Sequence, residues 1–289
     1  MKTLVLGAAG QLGRHLCVSL PGEIVGLARA DADLTKPLQL RAAFERHRPH
    51  VVVNAAGFTQ VDRAEDEPAA ALAVNAHALR DLAILCRDFD CTLIHFSTNY
   101  VFGADAKHAT PYAETDVPGP INVYGKTKLL GENTVREIWP RHFILRTCGL
   151  YGTPGAGSRR TNFVETMLRR AEARTPIRVV SDQVCTPTSV ADLADAARQL
   201  LESPAYGLYH LTNAGACTWH EFAQAIFALT GRSASLEPIA SDAYAALAPR
   251  PRYSILSNAC WMEAGFTPLR PWREALAHYL EATMESRTK

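Results

Sequence analysis

Over the first half of the chain, short apolar runs alternate with longer stretches in which hydrophobic residues return every three or four positions. The runs are TLVLG (3–7), EIVGLA (23–28), VVVNAA (51–56), TLIHFS (92–97) and FILRT (143–147), each bounded by Gly, Pro or polar residues. Near-continuous apolarity over so few residues fits strands covered on both faces, as in a parallel sheet; a half-exposed strand would alternate. Between them, LRAAFERHRP (40–49) and PAAALAVNAHALRDLAILCRDFD (68–90) carry helical spacing and good helix formers. Strand and helix in regular succession predict an α/β fold, a doubly wound parallel sheet of Rossmann-like type.

After about residue 150 the pattern loosens. GTPGAGSRRT (152–161) reads as a loop, followed by a helical NFVETMLRRAEAR, a strand and loop in VVSDQVCTPTS, and a helical VADLADAARQLLE. A strand GLYHLTN, a helix opened by Thr218 as N-cap, proline-rich APRPRYSIL and a helix around RPWREALAHYLEATM complete the chain. No repeat or low-complexity linker divides it. The expected organisation is a sheet domain at 1–150 and a smaller lobe at 151–289, with room to return one strand to the main sheet.

Composition narrows the partners. With 47% hydrophobic and 20% charged residues the chain is an ordinary globular protein, and a net charge of +1 gives no electrostatic case for nucleic acid or an anionic membrane. No unbroken apolar run approaches the ~18 residues of a membrane span. The N-terminal MKTLVLGAAGQLG superficially resembles a leader, but Gly10-Gln11 interrupts it and a buried first strand is the better reading. Seven scattered cysteines without a Cys-x-x-Cys pair suggest neither a disulfide frame nor a zinc site; reduced thiols in a cytoplasmic protein are expected. Arg159-Arg160 and Arg169-Arg170 are read as solvated faces, with an anionic ligand at one of them as the alternative.

Chemistry enters at the strand ends. GAAGQLG places Gly7, Gly10 and Gly13, with Gln11 and Leu12 between them, where the first strand turns into a helix. A dinucleotide pyrophosphate needs close backbone approach and open N–H groups at a helix N-terminus, which glycines provide. Residues 1–150 are therefore expected to bind a dinucleotide. The second strand ends at Ala28-Arg29 rather than at an acid, so Arg29 is a candidate for a 2′-phosphate, with Asp33 and Leu34 near the adenine; NADPH or NADH is expected. Ala55, Ala56 and Gly57 after the third strand are small enough for a cofactor to cross the sheet, whereas Asp62 and Glu65 are read as fixing the loop and the next helix start.

The stretch NVYGKTKLLGE (122–132) carries the proton chemistry. Tyr124 and Lys128 are four residues apart, hence on one face of a helix. Nine tyrosines and six lysines in 289 residues give roughly 0.2 such pairs by chance. A nearby ammonium stabilises phenolate and is expected to bring the phenol toward neutral pH. Thr98, closing HFST on the fourth strand, completes a set able to hold a carbonyl oxygen and deliver a proton.

These residues resemble the extended short-chain dehydrogenase/reductases and, within them, the dTDP-4-dehydrorhamnose reductase family. GAAGQLG, VVVNAAGFTQVDRAEDEP, FSTNYVFG, ETDVPGPINVYGKTKLLGE, LRTCGLYG, VSDQVCTPT, GLYHLTNAGACTWHEFA and PRPRYSIL follow in that family's order across nearly the whole chain. The resemblance implies that Tyr124 protonates the C4 oxygen of a dTDP-linked 6-deoxyhexose, that Lys128 lowers its pKa and binds the nicotinamide ribose, and that hydride comes from NADPH or NADH. It also implies a substrate side made of Thr98, Asn99, Tyr100, Asn162, Phe163, Gln183, Thr188 and Arg250. Three departures stand out: Asn99 where the family commonly has aspartate, Gly149 where many members carry tryptophan, and His15 where some hold a magnesium-bridged dimer through an acid. No metal is therefore expected, and a homodimer stays open. Two other readings of the same residues are a non-catalytic, cofactor-binding regulatory subunit and a nucleotide-sugar epimerase.

Overall fold

A computed structural model describes residues 1–153, 162–173 and 175–288. Its centre is a six-stranded, wholly parallel sheet formed by β1 (Lys2–Leu6), β2 (Glu23–Leu27), β3 (Val51–Asn54), β4 (Thr92–Thr98), β5 (His142–Thr147) and a strand from the second half, Gly207–His210. In space the order is β2, β1, β3, β4, β5 and then Gly207–His210. Each strand expected in the first half is present to within one or two residues. VVVNAA stops at Asn54, so Ala55 and Ala56 lie beyond the sheet.

The continuous apolar runs arise because alternate residues serve opposite faces. Val5, Val51, Val53, Ile94 and Phe143 join a core with Leu12 and Leu16 of α1 (Gln11–Ser19). Leu4, Leu6, Val52, Leu93 and Ile144 join another with α2 (Pro37–His47) and the helix Pro68–Asp88. Helix α2 starts three residues before the expected segment because Pro37 occupies its first turn, where a missing N–H costs nothing.

Two short helices were not legible as periodic segments: α3 (Val61–Asp66), before α4 (Pro68–Asp88), and Ala259–Glu263. Helix α4 is long and apolar enough to cross a membrane by length and composition, contrary to the expectation drawn from unbroken runs. It is alanine-rich with few charges, and half of it is buried inside the fold as a core helix. It carries one π-helical turn, Ala73–His77, of the kind that often marks functional sites.

The second half contributes α6 (Phe163–Glu172), α7 (Val190–Arg198) and α8 (Trp219–Thr230), the last opened by a capping box of Thr218 and Glu221. Helix α5 (Val123–Ile138) lies between β4 and β5 in the chain. A small parallel pair, Ile177–Val180 with Leu236–Ile239, and the helix Trp272–Thr288 complete this half. Of GTPGAGSRRT, residues 154–161 lie outside the described residues, including Arg159 and Arg160.

Candidate active site

A cleft of about 960 Å³ opens along the carboxyl ends of β1, β3 and β4, where strand order reverses between β1 and β3. That is where a doubly wound sheet holds its ligand. Gly7, Gly10, Gln11 and Leu12 line it from the first turn. Gly7 has φ +80°, and a Cβ there would sit 2.8 Å from the Ala56 nitrogen. Gly13 is not among the lining residues; its Cβ would meet the Gly7 oxygen at 2.2 Å, so its part is to let α1 pack on the turn. No side chain caps α1 and no acid occupies its first turn, leaving its positive end suited to an anion.

Arg29, Asp33 and Leu34 line the same cleft, with Arg29 Nε 3.0 Å from Asp33 Oδ2. Ala55, Ala56 and Gly57 form its floor. The loop after them is held by Asn75 from the π-helical turn. Asn75 Oδ1 accepts the Phe58 N–H at 2.9 Å, and Nδ2 donates to Phe58 O at 3.0 Å and to Thr127 Oγ1 at 3.1 Å.

Helix α5 is pinned at its start. The Asn122 side chain accepts the Gly125 N–H at 2.7 Å, and Glu65 accepts the Val123 N–H at 2.8 Å. Asp62 anchors the 248–250 segment. Added Cβ atoms on Gly125 and Gly131 would lie 2.1 Å from the backbone oxygens of Tyr100 and Asn75, so glycine is what lets this helix reach its neighbours. Two turns on, buried Glu132 receives Arg146 Nη2 of β5 at 2.6 Å and a hydrogen bond from Ser97.

Tyr124 and Lys128 share one face of α5 and both line the cleft, opposite Thr98. Thr98 hydrogen-bonds the Tyr124 phenol and also accepts the Tyr100 N–H at 3.1 Å. Lys128 Nζ donates to Phe96 O at 2.7 Å and lies 3.1 Å from His95 Nε2. Burial pushes Tyr124 up to about 12, against the opposing bond from Thr98. Burial also brings Lys128 down to about 8, with Glu132 pulling the other way. The phenol is therefore a neutral proton donor that keeps its proton through neutral pH.

Thr98, Asn99 and Tyr100 border the middle of the cleft, and Asn162 and Gln183 its far side. Asn99 Nδ2 donates to Ser254 Oγ at 2.8 Å, tying the end of β4 to the second half. Asn162 donates to Gln11 Oε1 at 3.0 Å and caps α6. Among the described residues Phe163, Thr188 and Arg250 do not line the cleft. Phe163 packs against Trp219 with ring centroids 4.8 Å apart, and Thr188 is buried, donating to Thr186 O at 3.2 Å. Arg250 is drawn away into a two-armed pair with Asp62, at 3.0 and 2.7 Å, which holds the Asp62 carboxyl below its ordinary range.

Trp219 lines the cleft and has no counterpart in the sequence reading. Gly149, at φ +55°, faces it: a Cβ on Gly149 would stand 3.5 Å from Trp219 Cη2. The indole thus fills the room in front of Gly149, from a helix 70 residues further along the chain. His95, Asn75, Glu132 and Arg146 were likewise not singled out by sequence. Their only local signal is a polar residue inside an apolar run or helix. Among the described residues no group of three His, Cys, Asp or Glu is placed to hold a metal, and His15 is kept below its ordinary pKa by burial and Arg14.

The chain is 42% identical over 280 residues to a dTDP-4-keto-6-deoxy-D-glucose reductase of Streptomyces niveus, covering 95% of each. It is 42% identical to a dTDP-4-dehydrorhamnose reductase of Streptomyces griseus, covering 97% of this chain and 93% of the other. A dTDP-4-dehydrorhamnose reductase of Bacillus anthracis, solved in complex with NADP, superposes with a TM-score of 0.92 at 35% identity, covering 97% of this chain and 99% of that one. UDP-glucose 4-epimerase of Thermus thermophilus, at 21% identity and a TM-score of 0.80, shares the fold. The family model described as RmlD substrate binding domain matches residues 1–285, and the chain belongs to that family.

Proposed function

We propose that the protein is an NAD(P)H-dependent reductase that converts the C4 ketone of a nucleotide-linked 6-deoxyhexose to an alcohol, with dTDP-4-dehydro-L-rhamnose as substrate and dTDP-L-rhamnose as product. One observation carries this reading: Tyr124, hydrogen-bonded to Thr98, opens into the same cleft as the glycine turn. The relatives named as reductases of dTDP-4-keto sugars support the substrate class.

The residues present suit a dinucleotide. A side chain at Gly7 would collide with the Ala56 backbone, and the uncapped α1 terminus offers the positive end that a pyrophosphate needs. Gly7, Gly10, Gln11 and Leu12 would hold the pyrophosphate, Arg29, Asp33 and Leu34 the adenosine end, and Ala55 to Gly57 the middle. Arg29 supplies a charge for a 2′-phosphate, so NADPH is accommodated as well as NADH. Reduced nicotinamide, when bound, supplies the hydride for C4 of the sugar. Thr98 and Tyr124 hold the ketone oxygen by hydrogen bonds, which stabilises the charge that develops on it. Tyr124 then gives its proton to that oxygen, leaving the neutral alcohol, and the phenolate regains a proton from solvent. Lys128 lies one turn away on the cleft wall and would hold the nicotinamide ribose hydroxyls. Residues 151–289 mostly supply the sugar-side wall, through Asn162, Gln183 and Trp219. Seven free cysteines fit a cytoplasmic setting.

The test is NADPH oxidation by the purified protein, followed at the nicotinamide absorbance with dTDP-4-dehydro-L-rhamnose, and identification of the sugar product. Turnover that yields the C4 alcohol is the expected result. Cofactor binding with no oxidation by any dTDP-4-keto-6-deoxyhexose would leave the non-catalytic subunit as the better reading.

A further inference from the structure

Thr98 and Tyr124 come from different elements, and close to each in the chain stands a buried asparagine whose NH2 reaches out of its own element. Asn122 opens α5. Its Oδ1 accepts the Gly125 N–H at 2.7 Å, which fixes the amide and aims Nδ2 the other way. Turning the amide round would set NH2 against that N–H. Asn122 Nδ2 donates to the Pro249 carbonyl at 2.9 Å. Asn99, next to Thr98, donates through Nδ2 to Ser254 Oγ at 2.8 Å. Both acceptors lie on one short segment, 249–254.

That segment is stiff and held along its length. Pro249 and Pro251 fix their own φ and restrict Ala248 and Arg250 before them. Asp62 accepts the Ala248 N–H at 3.0 Å and takes both arms of Arg250. Pro251 fits against Gly103, where a Cβ would lie 2.8 Å from the proline Cγ. Val184 then clasps the far end, its N–H donating to Arg252 O at 2.8 Å and its carbonyl accepting the Ser254 N–H at 3.1 Å. Pro251, Ser254 and Val184 all line the cleft. We infer that 249–254 is a strap that sets the spacing of Thr98 and Tyr124, with Asn99 and Asn122 as the positioning residues that join it to them. The inference rests on the part given to those two groups in the reductase reading above.

Closing a helix end asks only for the oxygen of Asn122. Its NH2 is spent on a carbonyl from the other half of the chain, 127 residues away. The Thr98–Tyr124 hydrogen bond closes a ring that runs from Asn99 to Ser254, back along the strap to Pro249 and through Asn122 to Tyr124. Inside that ring α5 presses directly on the Tyr100 carbonyl, where a Cβ on Gly125 would lie 2.1 Å away. Small shifts of the strap are therefore passed to the start of α5 instead of being absorbed by a gap. Because the strap also walls the sugar end, one piece of chain places both the sugar and the proton donor.

Two measurements on the full-length protein decide it. Asn122→Ser keeps a capping oxygen for Gly125 and removes the donor to Pro249. Hydrogen exchange read by mass spectrometry should then speed up at residues 248–254 by about fivefold, the scale of one lost hydrogen bond, with 123–130 as slow as before. Unchanged exchange at 248–254, or faster exchange at 123–130 alone, would overturn the proposal whether or not the protein turns over sugar. In steady-state kinetics the same variant should lose about tenfold in kcat, as a misplaced donor does, with sugar KM within about twofold. NADPH should still bind one per chain, so that the loss is not a fraction of inactive protein. An undiminished kcat would make Asn122 a cap and nothing more, and rejects the idea. Ser254→Ala opens the other end of the strap, and combining the two changes should cost no more in kcat than the worse of them alone. Additive losses would mean two independent supports and would reject the strap. Absence of turnover in the unmodified protein would instead count against the reductase reading and leave the exchange measurement standing.

Discussion

At the cofactor end of the cleft, the lining groups from Gly7 to Gly57 sit just past the carboxyl ends of neighbouring parallel strands. At the sugar end, Gln183, Trp219 and Ser254 arrive from three separate segments of the second half and meet the end of β4 through the Asn99–Ser254 hydrogen bond. The first end is built from local signals repeated at each strand end, so each piece can be recognised alone. The second exists only where distant segments cross. Tyr124 stands at the seam, held by Thr98 from the sheet and by Asn122 and Glu65 at the start of its helix.

Substitutions can break or sharpen that contrast. The largest effect belongs to the seam. Tyr124→Phe keeps the ring and removes the proton donor, and kcat should fall by about a thousandfold, while NADPH affinity measured by fluorescence stays unchanged. At the cofactor end, Gly13→Ala would drive a Cβ into the Gly7 oxygen, a backbone atom that cannot swing aside. NADPH affinity should drop by at least about tenfold, with a lower melting temperature, and an unaffected cofactor titration would show that the turn has slack.

The sugar end should respond in KM rather than in cofactor binding. Trp219→Ala is expected to raise KM for the nucleotide sugar by about tenfold through loss of the aromatic wall. Trp219→Phe should recover most of that loss, and NADPH affinity should be the same in both. If both substrates weaken together, the two ends are not independent. The smallest effect is at Arg29, whose side chain is 83% exposed. Arg29→Ala should cost NADPH about fivefold relative to NADH, the scale of an exposed charge contact of roughly 1 kcal/mol. An unchanged NADPH-to-NADH ratio would remove Arg29 from cofactor choice.

How much was legible follows the same division. Apolar runs located the five strands of the first half because burial on both faces leaves no room for polar alternation. The strand GLYHLTN was recognisable as a strand, and the fold joins it to β5 of the main sheet. The short helix Val61–Asp66 escaped notice because six residues are too few to show a period. Helix α4 was read correctly in extent, yet its π-helical turn has no sequence signature, and that turn is what aims Asn75 at the Phe58 backbone.

From residue order alone came the strand–helix rhythm, the glycine turn and the four-residue spacing of Tyr124 and Lys128, since each depends on neighbours within a turn or two of the chain. Folding made the choices that depend on packing. It turned Lys128 toward His95 and Phe96, paired Arg250 with Asp62, and set Trp219 in front of Gly149. A side chain's partners are fixed by whatever the sheet and helices bring within about 3 Å of it, and His95 reaches Lys128 across 33 residues of chain. Spacing along a sequence carries no record of such meetings. The charge state of a buried amine therefore belongs to the assembled core.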